Sequence, residues 1–378
     1  MAGASELVRK FHARYPASPA PRVWRAPGRV NLIGEHTDYN LGLVLPMAID
    51  LACRVAVAPS NDGWLRVYSE QIGGGSQWPL ADIPNALPVG DWTDRIVGIA
   101  WELSRRGVEL RGANVLIDSE VPLGGGLSSS AALGVSLALA LGGALALGGP
   151  RDPLEVAKLA QVVEMDFVGM PCGIMDQFSS AAGSAMLLDC RSLTWKEVKL
   201  PVDVAVVSAN TMVKHELEVS AYRTRVEECA EAARRLGIAS LRGAELGSLA
   251  SLDGVALKRV RHIVTENARV LMFAAAAESE NAAEMGRILT ESHISLRDDY
   301  QVSCVELDFL VEAALQVDGV FGARMTGGGF GGSTVNLVRP EAVGQLKATL
   351  AVEYRKYHGL TPEIHVCVAS PGASEVIC

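Results

Sequence analysis

Residues 122–132 read Pro-Leu-Gly-Gly-Gly-Leu-Ser-Ser-Ser-Ala-Ala, and an uncharged segment rich in alanine and leucine continues to residue 147. Glycine lacks a Cβ atom, so three glycines in succession let the backbone come close to a ligand. The serine hydroxyls that follow both donate and accept hydrogen bonds. A glycine loop that opens a helix directs N–H groups and the positive end of the helix dipole towards one point, which suits a phosphate. The alternative is a tight turn, capped by serine, before a core helix.

The common phosphate-binding motifs do not account for this loop. The spacing Gly-x-x-x-x-Gly-Lys-Ser/Thr is absent from the chain, and so is the His-Arg-Asp and Asp-Phe-Gly pair of protein kinases. Residues 327–332 match Gly-x-Gly-x-x-Gly, but the alternating residues 333–338 predict a strand, whereas a dinucleotide fingerprint must open a helix. We therefore expect a glycine loop between two strands, either as a wall beside a ligand or as a plain hairpin.

Composition limits the class of protein. The chain has 378 residues, 49% hydrophobic and 20% charged, which predicts a packed protein large enough for two domains. A net charge of −9 argues against nucleic acid as the main partner. The first ten residues contain no apolar core of signal-peptide length. The uncharged run at 131–147 is at the lower length limit for a membrane span and holds three glycines, so we expect a buried helix and no membrane partner.

Seven cysteines are scattered along the chain, without a Cys-x-x-Cys pair. An odd number without close pairs fits free thiols in a reducing compartment better than disulfides or a zinc site. We therefore expect a cytoplasmic protein.

A polar loop is predicted at residues 28–40, which read Gly-Arg-Val-Asn-Leu-Ile-Gly-Glu-His-Thr-Asp-Tyr-Asn. Arg29, Glu35, His36 and Asp38 crowd around a glycine-bearing turn, and apolar residues flank it on both sides. Polar loops are usually solvated, but a loop anchored in a core is where binding groups lie. Carboxylate and imidazole groups in this arrangement can bind several hydroxyls of one small polyol.

Two further segments carry helix signals. Asp152-Pro-Leu-Glu155 predicts a helix start, and the pattern continues through Glu164 to about residue 167. Asp176 lies near the start of another helix, between Met175 and Phe178. A carboxylate is stabilised at a helix N-terminus, and an ordinary capping role is the alternative.

The remaining pattern gives a coarse architecture. We predict helices at 5–14, 92–105, 216–236, 256–289 and 340–357, and strands at 23–25, 44–70 with a turn at 60–63, 113–118, 204–207 and 365–369. The strand at 204–207 is taken as the start of a second domain.

Four of these segments together resemble the galactokinase family, which belongs to a superfamily that also holds homoserine, mevalonate and phosphomevalonate kinases. They are residues 28–40, 122–133, 172–177 and 322–338. The resemblance implies a two-domain α+β fold, with a mixed-sheet N-terminal domain at 1–198, a ferredoxin-like C-terminal domain at 199–378 and the active site between them. It also implies ATP-dependent phosphorylation of D-galactose at the C1 hydroxyl.

The resemblance assigns roles to matching positions. Asp176 would accept the proton of the sugar's C1 hydroxyl, and Arg29 would hold that carboxylate and steady the transferred phosphoryl group. The sugar hydroxyls would be bound by Glu35, His36, Asp38, Gly173 and Tyr222. The ATP phosphates would be bound by Gly124, Gly125, Gly126, Leu127, Ser128, Ser129 and Ser130. Magnesium would lie near Ser130 and Glu164.

The chain departs slightly from the family pattern. Ser333 stands where cysteine is frequent, and Met165 follows Glu164 where histidine or asparagine is usual. Two alternatives stay open: a kinase for galactosamine or N-acetylgalactosamine, and a galactose and ATP sensor without activity. Such sensors resemble enzymes that have lost residues of the phosphate loop, whereas here the serine segment is unbroken and Asp176 is present. We expect a monomer.

Overall fold

The fold is built on two β-sheets. The structure, a computed structural model, describes residues 2–144, 149, 151–214 and 218–377. Before the second sheet, the elements in chain order are α1 (Ala2–Arg14), β1 (Arg22–Ile33), β2 (Leu43–Pro59), β3 (Trp64–Ser69), β4 (Gly74–Pro79), α2 (Asp94–Arg105), β5 (Ala113–Ser119), α3 (Ser129–Ala144), α4 (Pro153–Val162), α5 (Met175–Ala182), β6 (Met186–Asp189) and β7 (Thr194–Glu197). They are followed by β8 (Ala205–Lys214), α6 (Glu218–Leu236), α7 (Gly254–Glu278), α8 (Ala282–Ser295), α9 (Val305–Leu315), β9 (Val320–Thr326), β10 (Gly331–Val338), α10 (Val343–His358), β11 (Glu363–Cys367) and β12 (Ser374–Val376).

The larger sheet has the strand order β12-β1-β2-β5-β3-β4, and β6 and β7 extend it from β2. Its β3–β5 pair is parallel and its other pairs are antiparallel, so the predicted mixed sheet is confirmed. Helix α3 is apolar on nearly every side, and its buried side chains belong to the same core cluster as those of β1 and β2. This packing fixes the glycine loop, which comes directly before α3, against the sheet.

The smaller sheet is wholly antiparallel, with the order β11-β8-β10-β9. Numbered by their own sequence, these four strands lie in the order 4-1-3-2, with helices between the first and second and between the third and fourth. This pattern fits the predicted ferredoxin-like β-α-β-β-α-β unit. The α+β fold class is thus as predicted.

The two sheets are joined by a shared core. One cluster of buried residues includes Val44 of β2, Phe273 of α7 and Val335 of β10. Strand β12, near the end of the described chain, returns to pair with β1, where Glu375 lies opposite Trp24. The division into domains at 1–198 and 199–378 stays a proposal, since β12 joins the sheet of the first domain.

Several element boundaries differ from the predictions. Strand β1 includes residues 28–33 of the predicted loop, so Arg29 lies in a strand, and the predicted turn follows at residues 34–37. Gly28 allows the glycine loop to approach the strand closely, because a Cβ atom there would lie 2.7 Å from the carbonyl oxygen of Leu127. The predicted helix at 256–289 is two helices, broken where the Asn281 side chain caps α8.

Other differences are smaller. The helix that begins after the Asp152 cap changes to a π-helical turn at Val163–Phe167. Strand β12 was not predicted. The ends of two predicted helices, 145–147 and 216–217, lie outside the described residues. In the part of the chain that the structure describes, no helix has both the length and the apolar character needed to cross a membrane.

Candidate active site

A cavity of about 280 Å³ lies where β1, the glycine loop and α5 meet. All of the predicted site residues except Gly125 and Leu127 line this cavity. The sequence segments that carry them are up to about two hundred residues apart in the chain, and the fold brings them to one place. The lining also contains Arg95 and Gly328, which the sequence analysis did not predict.

An ion pair between Arg29 and Asp176 lies in this cavity. Arg29 Nε donates to Asp176 Oδ1 and Nη2 to Oδ2, each at 2.7 Å, in a bidentate geometry that is strong and directional. The Ser128 hydroxyl donates to Oδ2 at 2.5 Å. Ile174 occupies the N-cap position of α5, and the Asp176 carboxylate bonds across to β1 and the glycine loop. The capping alternative for Asp176 is therefore wrong.

The glycine loop ends at the start of α3, as its sequence predicts. Gly124, Gly126 and Ser128 have positive φ angles of 68°, 71° and 59°, which glycine adopts freely and serine rarely. Arg29 Nη1 donates to the Gly126 carbonyl at 2.6 Å, so the loop and the ion pair form one unit.

Two residues of the glycine loop, Gly125 and Leu127, do not line the cavity and contact the surrounding protein instead. Leu127 is buried in the core, and the Gly125 carbonyl accepts a 2.5 Å hydrogen bond from the Ser333 hydroxyl. These contacts hold the loop from behind while its other members face the cavity.

One carboxylate oxygen of Glu35 accepts several hydrogen bonds from the protein itself. Its Oε1 accepts from Gly327 N at 2.7 Å, Thr326 Oγ1 at 3.0 Å and Arg324 Nη2 at 3.2 Å. Arg324 is completely buried and also donates to the Asn31 carbonyl at 2.6 Å. Glu35 therefore links the polar turn after β1 to the glycine loop at residues 327–332. In the sequence, Arg324 is simply one charged residue among the apolar residues of β9, so its contact with Glu35 was not predicted.

His36 is held as a neutral imidazole. Burial lowers the pKa of His36 to about 3. Its Nδ1 lies 3.0 Å from the Tyr39 hydroxyl, which in turn lies 2.7 Å from the Tyr300 hydroxyl. The half-buried Tyr222 ring packs beside the imidazole with ring centroids 5.6 Å apart. Tyr39 lies in the predicted polar loop but was given no role, and Tyr300 lies in no segment that the sequence marks as part of the site.

Asp38 and Gly173 are in close contact. Burial raises the pKa of Asp38 to about 7, and the nearby carboxylates of Asp176 and Glu35 add to the shift. A Cβ atom on residue 173 would lie only 2.0 Å from Asp38 Oδ2, so only glycine fits there. This pair gives the cavity a carboxyl group that titrates near neutral pH.

Glu164 and Ser130 fit a magnesium ion held largely by phosphate. Both line the cavity, and Mg²⁺ typically takes one or two protein oxygens besides phosphate oxygens and water. Among the described residues, no cluster of three or more histidine, cysteine or acidic side chains could hold a metal by itself. Arg95 Nε and Nη2 donate to the two Glu164 oxygens at 2.7 and 3.1 Å.

A second cavity of about 100 Å³ adjoins the first. Its apolar lining includes Ile72, Trp92 and Leu133, from three separate segments. Residues Arg95, Ser129 and Ser130 line both cavities, so they mark the junction. Sequence reasoning missed this pocket because its residues share no motif.

Fold and site together define a class of protein. A carboxylate held by arginine faces the glycine loop of a helix N-terminus, which is the combination that phosphoryl transfer to a hydroxyl needs. Family models agree: the galactokinase galactose-binding signature matches residues 9–59, the N-terminal domain of GHMP kinases matches 94–184, and the C-terminal GHMP kinase domain matches 273–355. The chain is a small-molecule kinase of the GHMP class.

Two curated relatives identify the family within this class of kinases. A galactokinase of Chloroflexus aggregans is 45% identical, over 96% of this chain and 95% of that protein. The Homo sapiens galactokinase is 42% identical, over 99% and 96%. The chain belongs to the galactokinase family.

Solved structures support the same conclusion. Lactococcus lactis galactokinase, solved in complex with galactose, superposes with a TM-score of 0.92 at 33% identity and covers 99% of this chain and all of that one. Methanococcus jannaschii mevalonate kinase has a TM-score of 0.70 at 20% identity, over 92% of this chain and 98% of its own, which shows a shared fold.

Proposed function

We infer that this protein phosphorylates D-galactose with ATP, and that the phosphoryl group goes to the C1 hydroxyl. The observation that carries this function is the Arg29–Asp176 ion pair beside the glycine loop, in a cavity lined by hydroxyl-binding groups. The family relationship supports galactose and ATP as the substrates. The position of transfer on the sugar comes from the resemblance to the family.

In the mechanism, the sugar C1 oxygen attacks the γ-phosphorus of ATP as the bond to the β–γ bridging oxygen breaks. Asp176 takes the proton that the sugar hydroxyl loses. Arg29 keeps Asp176 oriented and compensates negative charge near the transferred group. The N–H groups of the glycine loop bind the phosphates, so most of the catalysis is positioning and charge stabilisation. Magnesium, when bound by Ser130 and Glu164, supplies further neutralisation of phosphate charge.

The sugar lies among Glu35, His36, Asp38, Gly173 and Tyr222. Glu35 Oε1 already accepts three protein hydrogen bonds, which leaves the other oxygen as its main acceptor for a sugar hydroxyl. Neutral His36 presents one donor or acceptor, and burial raises the pKa of Tyr222 well above its usual range, so its phenol stays a donor. The second cavity, apolar and next to the loop, suits the adenine base.

Sugar choice tests this function. A site built to hydrogen-bond one hydroxyl stereochemistry leaves buried polar groups unpaired with the wrong epimer, so we expect kcat/KM for galactose to exceed that for glucose by at least about a hundredfold. A coupled assay of ADP release measures both sugars, with galactosamine and N-acetylgalactosamine alongside. Faster turnover of an amino sugar would favour the alternative kinase. ATP and galactose binding without turnover would favour the sensor.

The raised pKa of Asp38 predicts a pH dependence of galactose binding. Because its pKa is about 7, Asp38 is mostly protonated at pH 6 and mostly ionised at pH 8. The ionised form is the better acceptor, so galactose affinity should fall about tenfold from pH 8 to pH 6. His36, with a pKa of about 3, stays neutral throughout. Calorimetric titrations should show this slope in the parent protein and a flat profile in Asp38→Asn; equal slopes in both would assign the titration to another group.

Two further expectations stay proposals. We propose a cytoplasmic location, which the free thiols of Cys53, Cys172, Cys190, Cys229, Cys304 and Cys367 support; Cys378 lies outside the described residues. A monomeric state remains a prediction that sedimentation would test.

A further inference from the structure

We propose that Arg95 binds the nucleotide phosphates, and that Glu164 competes with them for its guanidinium group. This inference rests on the proposed function, because it takes ATP as the ligand of the two cavities. It adds a binding residue and explains why Glu164, a candidate metal ligand, is paired with an arginine.

The position of Arg95 is the first support. It is the second residue of α2, whose start is held by Asp94, since Val89 N and Gly90 N both donate to that carboxylate at 2.8 Å. Arg95 lines both cavities, together with Ser129 and Ser130 of α3. A nucleotide with its base in the second cavity and its γ-phosphate beside Asp176 has to pass this junction.

The charges in the cavity are the second support. Within the described lining, four carboxylates face two guanidinium groups, those of Arg29 and Arg95. All three Arg29 nitrogens are engaged, two by Asp176 and one by the Gly126 carbonyl. Arg95 uses Nε and Nη2 on Glu164, and its Nη1 makes no hydrogen bond to the described residues. Arg95 is therefore the cation that has capacity for phosphate.

Competition between Glu164 and phosphate for Arg95 is the third support. The Glu164 side chain is only 9% exposed, and a buried carboxylate that loses its cation is costly unless another cation replaces it. Magnesium would replace Arg95 as the partner of Glu164. Phosphate would replace Glu164 as the partner of Arg95. The two exchanges favour each other, so metal and nucleotide binding are coupled through this ion pair in addition to their direct contact.

The test is calorimetric titration of ADP in the presence of EDTA, with adenosine as a ligand that has the base but no phosphate. The variants are Arg95→Gln, Glu164→Gln, the double variant, and Arg105→Gln as a control. Arg105 lies on the same helix, half exposed and away from both cavities.

We expect Arg95→Gln to weaken ADP binding about tenfold, the value of a charged hydrogen bond, and to leave adenosine and the control unchanged. Glu164→Gln should tighten metal-free ADP binding about threefold or more, because Arg95 is released, and this gain should disappear in the Arg95→Gln background.

Other outcomes overturn the proposal in distinguishable ways. If Glu164→Gln tightened ADP binding equally with and without Arg95→Gln, the gain would come from removing charge repulsion between Glu164 and the phosphates, and not from the release of Arg95. Loss of ADP and adenosine binding alike in Arg95→Gln would mean a structural ion pair. If the parent protein binds neither ADP nor ATP, with or without magnesium, the proposed function itself fails.

Discussion

Asp176→Asn should lower kcat by at least about a hundredfold, the low end of general-base contributions, while galactose and ADP still bind. Asparagine keeps the shape of the side chain, and its amide oxygen can still accept from Arg29 or Ser128. It cannot accept the proton of the sugar hydroxyl. The measurement is kcat by ADP release, with galactose and ADP titrations on the same protein.

Asp203→Asn is the matched control, since Asp203 is exposed and lies outside both cavities. Its kcat should equal that of the parent. A near-normal kcat for Asp176→Asn would show that Asp176 is not the base. Loss of binding together with turnover would show that the residue anchors the sugar or the fold. Arg29→Ala should also lower kcat, because it leaves both the carboxylate and the phosphoryl charge uncompensated.

Gly173→Ala should have the second large effect, a fall in kcat/KM for galactose of about a hundredfold, as displacements of about 1 Å at an active site produce. The added Cβ atom would meet Asp38 at 2.0 Å from Oδ2 and 2.3 Å from Cγ, so Asp38 or the start of α5 has to move. ADP binding should not change, since neither residue belongs to the glycine loop or the second cavity.

Gly344→Ala is the control for a glycine substitution. It lies in α10 with no atom within 4 Å of the added Cβ, so its activity should be unchanged. Steady-state kinetics with varied galactose compare the two variants. Normal galactose kinetics in Gly173→Ala would mean that Asp38 does not contribute to the sugar site in the geometry described.

The residues that line the candidate site were largely predictable, because they belong to motifs with unusual local composition. The glycine loop before α3, the polar residues after β1 and Asp176 near the start of α5 all lie where the sequence predicts, in one cavity. The close approach of the glycine loop at Gly28 was not predicted. A glycine within a strand gives the same local signal as a glycine in a turn, and the nearby Leu127 carbonyl is distant in sequence.

The residues that were missed share a physical reason. Arg95, Arg324 and Tyr300 lie inside helical or strand segments, and their partners lie on other segments. Local sequence shows neither the partner nor the burial. Strand β12 has three residues, too few for a period-two pattern to stand out.

The most direct test of the proposed reaction is the identity of its product. The protein is incubated with galactose, ATP and magnesium, and the product is examined by phosphorus NMR with proton coupling, beside the Asp176→Asn variant. We predict a sugar phosphate whose phosphorus couples to the anomeric proton, formed by the parent protein and almost absent with the variant. Coupling to the C6 methylene protons instead, or release of inorganic phosphate alone, would contradict transfer to the C1 hydroxyl at the Arg29–Asp176 pair.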